Sequence, residues 1–112
     1  MSTNFAIVQG ATFDVTVTVS KNGSVLDLTG YTAQLQARRW PEAAETLLDL
    51  SLGAGLTLNA AQGKIRILLT KAQTAAQSGW SDAVYDLFIT APGGEAVRVM
   101  DGRLALLKRV TR

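Results

Sequence analysis

Apolar and polar residues alternate with a period of two along most of this chain, and that pattern confines it to β structure. Across residues 12–20, Phe13, Val15, Val17 and Val19 alternate with Thr12, Asp14, Thr16 and Thr18. Successive side chains of a strand point to opposite faces, so this stretch reads as a strand with one face buried. Lys21-Asn22-Gly23-Ser24 follows. Asn-Gly tolerates positive φ at both positions and marks a tight hairpin, with residues 25–28 as the returning strand. After a break at Thr29-Gly30, Tyr31, Ala33, Leu35 and Ala37 line the apolar face of the next strand.

The alternation lapses at Trp40-Pro41-Glu42-Ala43-Ala44-Glu45. Proline cannot donate to a ladder, so a loop or an edge excursion is expected there. The pattern resumes with Leu48, Leu50 and Leu52, then with Leu56 and Leu58, then with Ile65, Ile67 and Leu69. Thr70-Lys71-Ala72-Gln73 has the form of a capping box, and the alanines after it favour a short helix stopped by Gly79 after about two turns. Residues 82–90 are largely apolar on both faces, with Asp86 in the middle, which predicts a central strand. Residues 96–110 close the chain as one long strand or two, with a bulge or bend at Asp101-Gly102. The expected fold is all-β: an antiparallel, immunoglobulin-like β-sandwich or small barrel of about eight strands with one short helix.

A length of 112 residues makes residues 1–112 a single domain. With 47% hydrophobic and 18% charged residues the balance is globular. The chain has no cysteine and no histidine. Disulfides and thiolate metal sites are therefore excluded, and so is the commonest acid–base group at neutral pH. Its first residues lack a signal-peptide pattern, and no apolar run approaches the ~20 residues that span a bilayer. No membrane partner is expected, and the chain is expected to stay in the cytoplasm that makes it unless it leaves within a larger assembly. A net charge of +2, with scattered basic residues, gives no reason to expect nucleic acid.

Candidates for catalysis are few. Lys71 and Ser78 are two helical turns apart, too far for a nucleophile–base hydrogen bond. Asp14, Asp27, Asp49, Asp86 and Asp101 lie on separate strands, outside any hydrolase motif. Asp27 and Asp101 precede turn residues and are expected to bond local backbone amides. Asp86, in an apolar strand, is expected to need an arginine such as Arg66 or Arg98. Nothing resembles a phosphate loop or a calcium site, so neither enzyme activity nor a cofactor is expected. For partner contacts the sequence offers the loop of Arg39, Trp40 and Pro41 and the C-terminal Arg109 and Arg112, since a tryptophan beside arginine is a typical interface anchor. Trp40, Trp80, Tyr31 and Tyr85 together offer a sugar-stacking platform as a rival use.

Several pieces, taken in order, resemble a family of small β-sandwich virion proteins of tailed bacteriophages, and the N-terminal domain of their upper baseplate proteins. They are Gly10-Ala11-Thr12-Phe13, Asp27-Leu28-Thr29-Gly30-Tyr31-Thr32-Ala33, Gly63-Lys64-Ile65, Tyr85-Asp86-Leu87, Arg98-Val99-Met100-Asp101-Gly102 and Val110-Thr111-Arg112. The resemblance implies a non-catalytic virion protein of the tail, baseplate or fibre-attachment region. Its partners would be other virion proteins, met in multiple copies within a symmetric assembly. A head decoration protein bound to capsid subunits is the alternative, and a carbohydrate-binding module a further one. The chain departs from the baseplate proteins in having no second domain to carry a receptor binder.

Overall fold

The computed structural model describes residues 2–110. Ten strands form: β1 (Phe5–Val8), β2 (Phe13–Thr18), β3 (Ser20–Lys21), β4 (Ser24–Val25), β5 (Thr32–Arg38), β6 (Leu48–Leu52), β7 (Gly55–Asn59), β8 (Lys64–Leu69), β9 (Asp82–Thr90) and β10 (Ala96–Leu107). Eight of them make one sheet in the order β1-β10-β9-β5-β6-β7-β8-β2, and β3-β4 is a separate hairpin. Its turn is the expected Asn22-Gly23, with φ of 55° and 79°. The sheet is mixed and not purely antiparallel, because β1 runs parallel to β10 and β6 parallel to β7. The second of these follows from chain geometry. β6 and β7 descend one after the other around a Gly53-Ala54 turn, β6 pairing with β5 and β7 with β8.

β1 and β2 sit at opposite ends of the strand order yet only four residues apart in the chain. The sheet is therefore rolled until its ends nearly meet. Alternation puts Ala33, Leu35, Ala37, Ile65, Ile67, Leu69, Tyr85, Leu87 and Ile89 inside the roll, all buried. Phe5 and Phe13, from the two end strands, stack edge to face at 5.8 Å between centroids. A void of about 20 Å³ remains between them, lined by Ile7, Leu35, Leu50, Ile67 and Leu104 among others.

The helix α1 (Lys71–Ala75) lies next to the link between the end strands. Its capping box forms as the sequence predicts: Thr70 accepts from the Gln73 amide, and the Gln73 side chain accepts from the Thr70 amide. It ends after little more than one turn, short of Gly79. Within it Thr74 is fully buried, and its hydroxyl accepts from the Gly10 amide at 3.0 Å and donates to the Ala11 carbonyl at 2.9 Å. That contact ties the helix to residues 9–12, and the chain then leaves to begin β9 with Trp80 buried.

β10 bulges between Arg98 and Met100, earlier than the Asp101-Gly102 step expected from the sequence. Gly102 has a different task. A Cβ there would collide with the backbone carbonyl of Thr3, so glycine lets the N-terminal segment lie directly on β10. The Thr3 amide donates to the Asp101 carbonyl at 2.8 Å, and the Tyr85 hydroxyl donates to the Thr3 carbonyl at 2.5 Å.

Replacing Thr74 with valine keeps the shape and strands the Gly10 amide without its acceptor. The expected loss is about 1–3 kcal/mol, the cost of a buried unsatisfied donor. Urea unfolding with an unchanged midpoint would show that Thr74 does not hold the link.

Candidate interaction surfaces

Of the residues singled out for partner contacts, Arg39, Trp40 and Arg109 lie at one end of the roll. Arg39, just past β5, is held by a hydrogen bond of 2.8 Å from its Nη2 to the Gly79 carbonyl. Trp40 beside it is 55% exposed, an unusual position for so large an apolar group. Arg109 lies beyond β10, its side chain against Gly10 and its amide 3.3 Å from Gln9 Oε1. Gln9 in turn donates from Nε2 to the Gln77 carbonyl at 2.8 Å. The loop after α1 thus connects Arg39 with Arg109, and the two predicted patches share an end of the molecule. Arg112 lies outside the described residues.

Pro41 belongs to a second feature that sequence reasoning missed. With Gln36, Arg38, Val84, Asp86, Arg98, Asp101 and Arg103 it borders an open cleft of about 400 Å³ on the outer face of β5, β9 and β10. Strand pairing sets Asp86 directly opposite Asp101, and Val84 between Arg38 and Arg103. Asp86 is half-buried and solvent-facing, not enclosed in the core as expected. Neither expected arginine pairs with it. Arg66 makes a bidentate contact with Asp14 across β2 and β8, at 2.9 and 2.6 Å. Arg98 approaches Asp101 at 3.7 Å. Asp101 therefore bonds no local amide through its side chain, whereas Asp27 does, accepting from the Thr29 amide at 2.9 Å.

A further polar cleft of about 420 Å³ lies over β2, β7 and β8, between Thr16, Thr57, Asn59, Gln62, Lys64 and Arg66. The aromatic platform does not form. Trp80 and Tyr85 are buried at 5% exposure and Tyr31 is half-buried, which leaves Trp40 alone at the surface. Trp80 is spent internally, its Nε1 donating to Gln77 Oε1 at 3.2 Å.

Electrostatics separate the groups in the same way. The hydrogen bond from Arg66 holds the Asp14 carboxyl below the usual range, and the Thr29 hydroxyl and amide do the same for Asp27. Burial, with a smaller contribution from the Asp101 charge, pushes the Tyr85 hydroxyl up to about 12. Among the described residues no three His, Cys, Asp or Glu side chains gather where they could hold a metal ion, and no helix is long and apolar enough to cross a membrane.

The fold is a rolled mixed β-sheet with polar outer faces and an apolar interior. In structure the chain is similar to the N-terminal domain of phage TP901-1 ORF48, with a TM-score of 0.57 at 12% sequence identity, over 94% of this chain and 83% of that one. At that identity the likeness shows a shared fold. No family model and no curated protein matches the sequence.

Two measurements test these placements. Trp40→Ala is expected to leave stability within about 0.5 kcal/mol, and Trp80→Ala to cost about 3–5 kcal/mol. Equal effects would contradict the assigned exposures. Tyr85 titrates near 12 in the folded chain and near 10 when unfolded. Its contribution is whole below pH ~10 and is lost as the pH climbs toward ~12. Stability is expected to fall across that window, and Tyr85→Phe to flatten the fall.

Proposed function

We propose that this protein is a virion structural protein of a tailed bacteriophage, a non-catalytic module that joins other virion proteins in the tail, baseplate or fibre-attachment region. One observation carries the reading: the fold is shared with the N-terminal domain of a phage protein, ORF48 of TP901-1, over nearly the whole chain. The ordered sequence pieces resemble the same kind of domain. The physical layout supports it. The interior is closed to ligands, and the exposed features suit contact with protein: Trp40 and Pro41 on a loop anchored by Arg39, Arg109 at the same end, and charged outer sheet faces. Aromatic and arginine side chains are the usual anchors of such contacts. In this reading the partners are neighbouring virion subunits, met in several copies, and the protein travels in the particle after synthesis in the host cytoplasm.

Copy number per particle, measured by quantitative mass spectrometry of the purified phage, tests the placement. A few to a few dozen copies are expected for a tail or baseplate site, which repeats in small multiples. Hundreds of copies would move the protein to the capsid as a decoration protein, and absence would end the virion reading. Trp40→Ala combined with Arg109→Ala is expected to lower incorporation while the purified domain melts as the parent does.

A further inference from the structure

The outer face of β5, β9 and β10 carries its charges in rows. One row crosses Arg38, Val84 and Arg103, the next Gln36, Asp86 and Asp101, and the third Gln34, Phe88 and Arg98. Rows on one face are two residues, about 7 Å, apart. Like charges set directly opposite destabilise a sheet, and Asp86 faces Asp101 in this way. Arg98 gives partial relief from 3.7 Å, beyond hydrogen-bond length. Among the described residues, neither Asp86 nor Arg103 makes an ion pair. The guanidinium of Arg38 is fixed by the Ala43 carbonyl at 2.6 Å and Gln36 Oε1 at 3.1 Å, which orients its charge without neutralising it. A positive row beside a negative row is left facing solvent.

We propose that a second copy of this chain docks on this face about a two-fold axis. The argument is charge complementarity, and the chain supplies both halves of it. An axis lying in the plane of the face, across the strands and midway between the first two rows, exchanges those rows. Arg103 of each copy then lies over Asp101 of the other, Arg38 over Gln36 and Val84 over Asp86. That sets Asp86 between Arg38 and Arg103 of the facing copy, and each contact occurs twice, as an isologous interface requires. The same operation carries the third row toward the other copy's Trp40 and Asp82, with Phe88, 38% exposed, over Asp82. An unrelated partner would have to reproduce this pattern, whereas a second copy already has it. The pairing goes beyond the virion reading and does not depend on it.

Sedimentation of the full chain at low and at high salt tests the pairing. A dimer at low salt that weakens as salt is added is expected. Arg103→Glu alone and Asp101→Lys alone each place like charges in contact twice, and each is expected to raise the dimer dissociation constant about tenfold or more. A mixture of the two variants restores opposite charge at both contacts, glutamate over lysine and Asp101 over Arg103, and is expected to associate as the parent does. Both positions are on the outer face, so unchanged thermal melting of each variant will confirm folding. A chain that stays monomeric at every concentration and salt overturns the proposal. So does a dimer indifferent to salt and to both substitutions. Monomeric protein found in purified particles would sink this pairing and leave the virion reading standing.

Discussion

The roll closes without hydrogen bonds between its end strands, and the rest of the structure depends on how that gap is held. β1 pairs only with β10 and β2 only with β8, so the ladder stops at both. What spans the gap is the link of residues 9–12, the Phe5–Phe13 stack behind it, and the Thr74 hydroxyl in front of it. A net hydrogen bond is worth about 1 kcal/mol, and the half-buried Gly10 amide would lose more than that if left without an acceptor. The short helix is therefore a fastener. Its capping box starts it at the end of β8, and one turn is the distance needed to bring Thr74 onto the link. Ile7, Leu104 and Leu106, which the end strands cover, stay dry only while this closure holds.

The same register that buries one face of each strand organises the other. β5 ends at Arg38 and β9 begins only at Asp82, yet antiparallel pairing of β5, β9 and β10 puts Gln36, Asp86 and Asp101 side by side. The bulge at Val99 matters here. Before it Arg98 faces outward opposite Phe88, and after it Met100 faces inward opposite Leu87 and Asp101 outward opposite Asp86. Without the extra residue, the segment carrying Asp101 and Arg103 would turn its charges toward the core.

Local signals were legible in the sequence because their physics is local. Burial of Ala33, Leu35 and Ala37 follows from alternation, the hairpin from Asn22-Gly23, and the helix start from Thr70 and Gln73. The loop of Arg39, Trp40 and Pro41 was visible as a lapse in the pattern. What failed depends on residues distant in the chain. The parallel pairing of β1 with β10 joins residues about a hundred positions apart, and no periodicity reports it. The helix is docked by Thr74 meeting Gly10, 64 positions away. Asp86 looked buried because both its neighbours are, but it lies on the face that nothing covers. The charged cleft was invisible for the same reason: its members become neighbours only once three strands are in register.

Two polar faces of similar size have opposite demands. Over β2, β7 and β8 Arg66 grips Asp14 with two hydrogen bonds, Lys64 stands without an ion pair among the described residues, and hydroxyl and amide groups make up much of the remainder. No like charges are set directly opposite on this face. Over β5, β9 and β10 the chain instead sets carboxylate against carboxylate and leaves Arg103 without a counter-ion among the described residues. Solvent screens that arrangement well enough for the monomer to fold, because exposed charges a few ångströms apart interact by only about 1 kcal/mol in water. The cost becomes a gain once a surface of opposite pattern excludes the water, where the same charges act through a lower dielectric. The opposed carboxylates, present on one face and absent from the other, therefore make the cleft beside Pro41 the better place to look for a partner.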